Sequence, residues 1–375
     1  MLAVAALSLG ACSSNDEPTP DEGDAAKNID YTEANSASWR NYMRQVSALL
    51  CDDADALHNA WTVSYEGGTP FASQFKSHNN SEYPSVKSCL DQIVEGCADI
   101  ANEVGTTKIG DPYNKYFVDK EKALYAVESW YSWHSRDDYT NNIYSIRNSY
   151  YGSLDGKESS KSIAALIKET NPALDTEMRV AITAAANAIQ AIPQPFRNNI
   201  NSKESLAAMT ACATLESLLT NKLKPALDGI NGRDAQLQAI VDNYVDNVVV
   251  PTYADLATKN KQLQQSVLAF YNTPSDAAFR NACNAWMVAR EPWEKSEAFL
   301  FGPVDALGLD PNMDSWPLDQ VSIVNILNSG NYDDLNWEDG DDDDAIEAKQ
   351  GVRGFHTLEF LLFKDGNPRT VSTAK

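Results

Sequence analysis

Gly354-Phe355-His356-Thr357-Leu358-Glu359, followed by the apolar run Phe360-Leu361-Leu362-Phe363, sets an imidazole and a carboxylate in a stretch that otherwise reads as a buried helix. The 375-residue chain has only four histidines. At 3.6 residues per turn His356 and Glu359 are an i,i+3 pair and share a face, beside an apolar face of Phe355, Leu358 and Leu362. A carboxylate pressed against a core is costly unless it is paired, hydrogen-bonded or bound to a metal. The pair is therefore either a satisfied structural contact or the floor of a site, and spacing alone leaves both open. Neutral imidazole suits iron, zinc and copper, whereas carboxylate favours harder ions. Two protein ligands are too few, so partners must come from other elements. A zinc peptidase would need a second histidine one turn after the first, with a glutamate next to one of them. Here Thr357 follows His356 and Phe360 holds the i+4 place. With no other HxxH, HxxxH or HxxE, and no Ser-His-Asp or GxSxG arrangement standing out, an enzyme is not expected and HxxE peptidase activity is the weakest reading.

The elements that must carry these residues are helical. Trp39, Tyr42, Met43, Val46, Leu49, Leu50, Leu57 and Trp61 form one long stripe, entered through Asn35 or Ser36 as N-cap. Helical patterns follow over residues 83–104, 120–131, 177–192 and 202–223. The last of these ends before Pro225 and a turn at Gly229–Gly232. Leu237, Ile240, Val241, Tyr244 and Val248 start another stripe, with a kink expected at Pro251 before it resumes through Leu263, Val267 and Phe270. Residues 275–290 give a further helix, and residues 302–317 and 329–344 read as loops. Strand-like alternation of useful length is absent, so the fold class is all-α, built from helical bundles. The acidic run around Asp341-Asp342-Asp343-Asp344 lacks the glycine placement of an EF-hand and reads as a solvated loop.

Residues 1–11 read as the apolar region and lipobox of a bacterial lipoprotein signal ending at Leu9-Gly10-Ala11-Cys12, too short to span a bilayer. Cleavage there would leave Cys12 acylated. Residues 12–30, rich in Ser, Asp, Glu, Pro and Gly, form a flexible tether. The expected location is the cell envelope, lipid-anchored to the outer membrane and facing the periplasm or the cell surface. A net charge of −23 and a pI near 4.5 argue against nucleic acid and anionic lipid surfaces as partners. The five remaining cysteines read as small buried hydrophobes. Cys89 and Cys97, eight residues apart on one helix, are too distant for a disulfide, and a zinc–thiolate site is improbable.

Several segments carry a family resemblance. Val250-Pro251-Thr252-Tyr253-Ala254-Asp255-Leu256, Ala285-Trp286-Met287-Val288-Ala289-Arg290-Glu291-Pro292-Trp293, Ser296-Glu297-Ala298-Phe299, Trp316-Pro317-Leu318-Asp319 and Gly354 to Glu359 resemble, in order, the first half of imelysin-like proteins. Asp138, Asn142, Ile146-Arg147-Asn148, Tyr151-Gly152 and Asn171-Pro172-Ala173-Leu174-Asp175 resemble that family's second half, which comes first in this chain. The resemblance is thus circularly permuted: residues 31–232 look like the family's C-terminal bundle and residues 236–375 like its N-terminal bundle with GxHxxE. It implies two four-helix bundles packed on each other, with the motif residues at their interface. It also implies an association with bacterial iron uptake, and an older description of some members as HxxE peptidases.

On this resemblance His356 and Glu359 become ligands, with Glu297 as third ligand, iron as the expected ion and zinc less so. Gly354 is expected to permit close approach of a helix. Arg290 either serves the site or forms a salt bridge with Glu297, seven residues on. Asp138 and Asn142, at i,i+4, point together at the interface, and Arg147 clamps a carboxylate of Glu297 or of a ligand, or locks the domains. Where family members often carry His this chain has Arg136, and Trp133 replaces an expected Asp. His134 is the nearest compensation. His58 and His78 are expected to face solvent. The function implied is a lipoprotein binding iron or an iron-bearing ligand, with iron-transport proteins as partners. The alternative is a structural or protein-binding helical module without metal.

Overall fold

The computed structural model describes residues 29–337 and 341–371. The lipobox and Cys12 lie outside the described residues, as does almost all of the tether. The long helices are α1 (Ser36–Thr62), α2 (Val86–Glu103), α3 (Ser135–Tyr151), α4 (Pro172–Gln190), α5 (Lys203–Leu218), α6 (Asp234–Tyr244), α7 (Val250–Asn272), α8 (Asp276–Glu294) and α9 (Gly354–Leu362). Among the described residues the only strands are a two-residue hairpin, Phe363–Lys364 with Asn367–Pro368. No helix among them is long and apolar enough to cross a membrane. The chain is all-α.

The helices begin where local chemistry satisfies their first amides. Ser85 and Ser88 close a capping box on α2, Asn171 caps α4 ahead of Pro172, and Ser202 and Ser275 cap α5 and α8. Two irregularities matter for the site. The stripe through Pro251 does not break there: a π-helical turn, Val245–Val249, precedes α7, so proline falls in its first turn, where no amide is needed. A second π-turn, Val104–Lys108, follows α2 and carries Lys108 inward. Two sequence expectations fail. The helix expected over residues 120–131 stops at Tyr125, and the chain then turns through Ser129 and Trp133, both at positive φ. The loop expected over residues 302–317 contains two short helices, Pro303–Ala306 and Leu309–Asp314. Both segments take their shape from tertiary contacts, which leave no periodic trace in sequence.

The helices form two bundles, but not at the expected boundary. Helix α7 packs along both α1 and α8, and α9 packs on α1 and α8. Trp39 donates its indole N–H to the Leu361 carbonyl (3.0 Å), and the Tyr42 hydroxyl donates to Val352 O (2.7 Å). Helix α1, assigned from sequence to the residues 31–232 unit, therefore completes the bundle of the second half. The other bundle is α2, α3, α4 and α5, with α6 laid on α2. The two meet where α3 packs on α8, and where α2 receives the turn Glu297–Phe299. That approach is close: a Cβ on Gly96 would lie 2.3 Å from the Ala298 carbonyl oxygen. The five described cysteines are buried and unpaired. His58 and His78 are half-buried rather than solvent-facing; His78 Nε2 lies 2.8 Å from Gln238 Oε1.

Candidate metal centre at the bundle interface

Helix α9 is apolar on every side and buried along its whole length, so His356, Thr357 and Glu359 are carried into the core with it. Its ends are held from α1 and α8: Trp286 donates to Phe355 O (3.0 Å), opposite the Trp39–Leu361 contact. Its start needs glycine. Gly354 has φ +85°, and a Cβ there would lie 2.5 Å from the Met313 carbonyl oxygen. That contact brings the helix Leu309–Asp314 against α9 and sets Asp314 beside His356.

Each imidazole nitrogen meets carboxylate. Nδ1 of His356 lies 3.1 Å from Glu359 Oε2, while Nε2 faces Asp314 Oδ1 (3.1 Å) and Glu128 Oε1 (3.3 Å). The other oxygen of Glu359 accepts from the amide (2.8 Å) and hydroxyl (2.6 Å) of Ser132. Trp316 closes the ring edge-on, its centre 4.9 Å from that of His356. Burial disfavours a charged ring, and so does Arg290 nearby, yet the Asp314 and Glu128 carboxylates outweigh both and raise the His356 pKa well above its usual value.

Arg290, fully buried on α8, is the hub. Its guanidinium contacts Asp314, Glu294 Oε1 (2.5 Å) and Glu128 Oε1 (3.3 Å), with Asp138 Oδ2 at 3.8 Å and His356 Nε2 at 3.3 Å. Lys108 Nζ supplies a second cation, 3.3 Å from Glu128 Oε2, 3.4 Å from Glu297 Oε1 and 3.7 Å from Glu103 Oε1. From α3, Asn142 donates to Glu294 Oε2 (2.6 Å), and Asp138 Oδ1 sits 2.6 Å from His134 Nδ1. Burial opposes ionisation of Asp314, but Arg290 and His356 hold its carboxyl far below the usual range. Glu294 goes the other way: its burial outweighs the attraction of Arg290 and pushes it up to about 8. Burial likewise raises Glu297 despite Lys108. His134 rises to about 9, because Asp138 outweighs the desolvation of its ring.

The residues singled out in the sequence divide cleanly. His356, Glu359, Arg290, Asp138, Asn142 and Glu297 all reach this interface, and Gly354 permits the close approach expected of it. Arg147 does not: it lies over the Tyr144 ring (4.2 Å) and donates to Asn148 Oδ1, so it clamps neither Glu297 nor an interface carboxylate. Arg290 does not pair with Glu297. Helix α8 runs through Pro292 but ends at Glu294, and Glu297 sits on a separate 3-10 turn facing Lys108. Nor do His356, Glu359 and Glu297 form one ligand set, because Glu359 is engaged by Ser132 and Nδ1. Among the described residues, the groups whose ligand atoms lie within 4.8 Å of one another are Glu128, Asp314 and His356, and then Glu294, Glu297 and Asp314. Arg136 leaves the site for the carbonyls of Gln190 and Ile192, and His134 serves Asp138. Sequence reasoning missed Glu128, Asp314, Glu294, Lys108 and Ser132. Glu294, one turn after Arg290, had a readable signal; the others sit in turns or short helices that show none.

The donor set is one imidazole nitrogen and many carboxylate oxygens. Asp138 Oδ2, Asn142 Oδ1 and Glu294 Oε1 are buried without a hydrogen-bond partner, the first and the last in ion-pair contact with Arg290 only. Unsatisfied buried acceptors are costly, and a cation or protons would satisfy them. Such a set fits a first-row divalent or trivalent ion better than a thiolate-seeking one.

The comparisons with known proteins agree with this fold. The family described as Imelysin, classed as peptidase M75, matches residues 19–221 and 249–374, two segments whose gap contains the Gly229–Gly232 turn. An imelysin peptidase from Bacteroides ovatus is 61% identical in its crystal structure, with a TM-score of 0.91 over 92% of this chain and 99% of that one. "Iron-regulated protein A" of Synechococcus elongatus is 34% identical over 139 residues. That match spans 36% of this chain and about a third, 35%, of the relative's length. With the family's match covering most of its length, the chain belongs to the imelysin family.

Proposed function

We propose that the interface binds a metal ion, iron in preference to zinc, and that the protein acts as an accessory of bacterial iron uptake. The observation that carries this reading is His356 Nε2 turned toward Glu128 and Asp314, with Nδ1 held on Glu359. A carboxylate on the far nitrogen orients the ring and keeps a proton on Nδ1, so that Nε2 would be the ligating nitrogen once its own proton is lost. Glu128, Asp314 and His356 would hold the ion, and Glu294 and Glu297 lie within reach through Asp314. When bound, the ion would neutralise the carboxylate excess. It would take the place of protons, since ligands must deprotonate to bind. A relative named as iron-regulated supports iron as the ion. Catalysis is not part of this reading: Glu359, the glutamate of HxxE, has its oxygens engaged by Ser132 and His356, leaving it no freedom to act as a base on water.

One observation favours the second reading, a module whose cluster only ties the bundles together. Arg290 already occupies the centre as a permanent cation. Titration calorimetry with ferrous, ferric and zinc ions, run in two buffers of different ionisation heat, separates the two. Saturable binding with proton release, lost in Asp314→Asn, is the expected result. Wild-type protein that takes up no iron at micromolar to millimolar concentrations would leave the tie. The envelope location rests on Cys12: Cys12→Ala is expected to move the protein from the membrane fraction to soluble extracts with helicity intact. Wild-type protein already soluble and unacylated would overturn the anchor.

A further inference from the structure

Arg290 and Lys108 both bring a positive charge to the bundle interface, and they are held very differently. Arg290 is gripped by Asp314 and by Glu294 Oε1 (2.5 Å). Lys108 meets three carboxylates and grips none. Its Nζ lies 3.3 Å and 3.4 Å from the two oxygens of Glu128, 3.4 Å from Glu297 Oε1 and 3.7 Å from Glu103 Oε1. A charge-assisted N–H···O bond closes to about 2.7–2.9 Å. The ammonium therefore hangs between the three carboxylates without settling on one.

Those carboxylates lead from the site to water. The Glu128 and Glu297 side chains are 8% and 4% exposed, and each belongs to a group able to hold an ion, Glu128 with Asp314 and His356, Glu297 with Glu294 and Asp314. Glu128 Oε1, one of the oxygens that Lys108 touches, is also the one that faces His356 Nε2. Glu103 belongs to neither group, and its side chain is 48% exposed. The backbone puts it within reach of Lys108. Five residues apart, the two would point about 140° away from each other around an α-helix. The π-turn Val104–Lys108, closed by the Ile109 N–H on Val104 O (3.1 Å), widens the coil and brings them to the same side. Gly105 pins that turn against α5, where a Cβ would lie 2.9 Å from Cys212 Cβ. With the backbone fixed, the freedom left is that of the flexible four-carbon lysine stem.

We infer that Lys108 is a displaceable cation: an ion entering the interface expels its ammonium from Glu128 and Glu297 onto Glu103, and the two buried carboxylates are released to the ion. The ammonium keeps a carboxylate partner throughout, so the exchange strands no buried charge. The inference rests on the metal reading and adds to it the residue that sets how tightly the ion is held.

Anaerobic calorimetric titration with ferrous iron tests this on four full-length proteins: wild type, Lys108→Met, Glu103→Gln and the double variant. Lys108→Met keeps the stem and removes the competing charge, so affinity should rise about tenfold or more, the scale of removing a like charge a few ångströms from the ion. Loss of a merely structural contact would lower it instead. Glu103→Gln, at a half-exposed side chain, removes the destination. It should weaken iron binding several-fold when Lys108 is present and leave it unchanged in the Lys108→Met background. Unchanged or weaker binding in Lys108→Met, with wild type still binding, overturns the inference and spares the metal reading. Equal weakening by Glu103→Gln in both backgrounds overturns it as well, because plain charge attraction gives that result. If Lys108→Met fails to fold, Glu103→Gln decides alone, and wild-type affinity there overturns the inference. No saturation in any of the four proteins removes both readings, whereas saturation only in the absence of Lys108 supports a site held shut by its own lysine.

Discussion

At the scale of single residues, the interface is a set of carboxylates driven to opposite protonation states by what surrounds them. Asp314, Asp138 and Glu128 lie beside Arg290, His134, His356 or Lys108 and are held low; Glu294 and Glu297 are buried more than they are compensated and are pushed up. The sign of the pH dependence follows. The raised group Glu294 stabilises the fold fully below its unfolded pKa of 4.5, and that contribution is lost as pH rises to about 8. His134 acts in the same direction between 6.5 and about 9. The lowered carboxylates work oppositely, losing their contribution as pH falls below about 4. Metal-free protein should therefore be most resistant to urea near pH 5, declining toward pH 8. Glu294→Gln should flatten that decline by a few kcal/mol, an order-of-magnitude figure for a shift of this size. A urea midpoint whose pH slope is unchanged in the variant would mean that Arg290 keeps Glu294 ionised throughout.

At the scale of elements, the site depends on segments with little secondary structure of their own. His356, Glu359, Arg290, Asp138 and Asn142 were legible because they ride on long periodic helices whose buried faces can be read from spacing. Glu128 and Ser132 were not, because they sit in a turn where Ser129 and Trp133 adopt positive φ, a conformation that only surrounding packing sustains. Asp314 was not, because it ends a six-residue helix seated by contact with Gly354. The bundle assignment of α1 failed for a related reason: periodicity shows that a face is buried and says nothing about which helix covers it. Gly354 is thus the point where element geometry reaches the site. Gly354→Ala would combine a strained φ with a 2.5 Å approach to the Met313 carbonyl, and should cost about 2–4 kcal/mol in a thermal or urea melt. Because Met313 precedes Asp314, metal affinity should fall with it. Wild-type stability in this variant would show that the start of α9 can shift without penalty, and that Asp314 is placed by something else.

At the scale of the whole molecule, the order of the two family-like portions is a question about chain ends and not about packing. The described ends already touch. Arg369 donates to the Ile29 carbonyl (2.9 Å) and Lys364 pairs with Asp30 (2.8 Å), so residues 29–30 lie against residues 364–369. The turn at Gly229–Gly232 sits between α5 and α6 at the other end of the rearrangement. A Cβ at Gly232 would meet nothing within 4 Å, so cutting there disturbs no close contact at that residue. Adjacent ends and an open turn are the two conditions under which a circular permutation leaves a core unchanged. A chain opened near Gly232, with residues 29 and 371 joined through a short flexible linker, should therefore fold to the same helical content. Its melting temperature should stay within about 5–10 °C of the parent, the change expected for a difference of a few kcal/mol in a chain of this size. The interface should survive as well, since Arg290, His356, Glu128 and Asp138 come from segments left intact. Far-ultraviolet dichroism, the melting curve and metal titration of the permuted chain test this together. A strain at the new join would lower the melting temperature and leave the metal titration alone. Loss of the titration in a chain that keeps its helices would show that the present order of segments, and not only their packing, holds the two bundles in register.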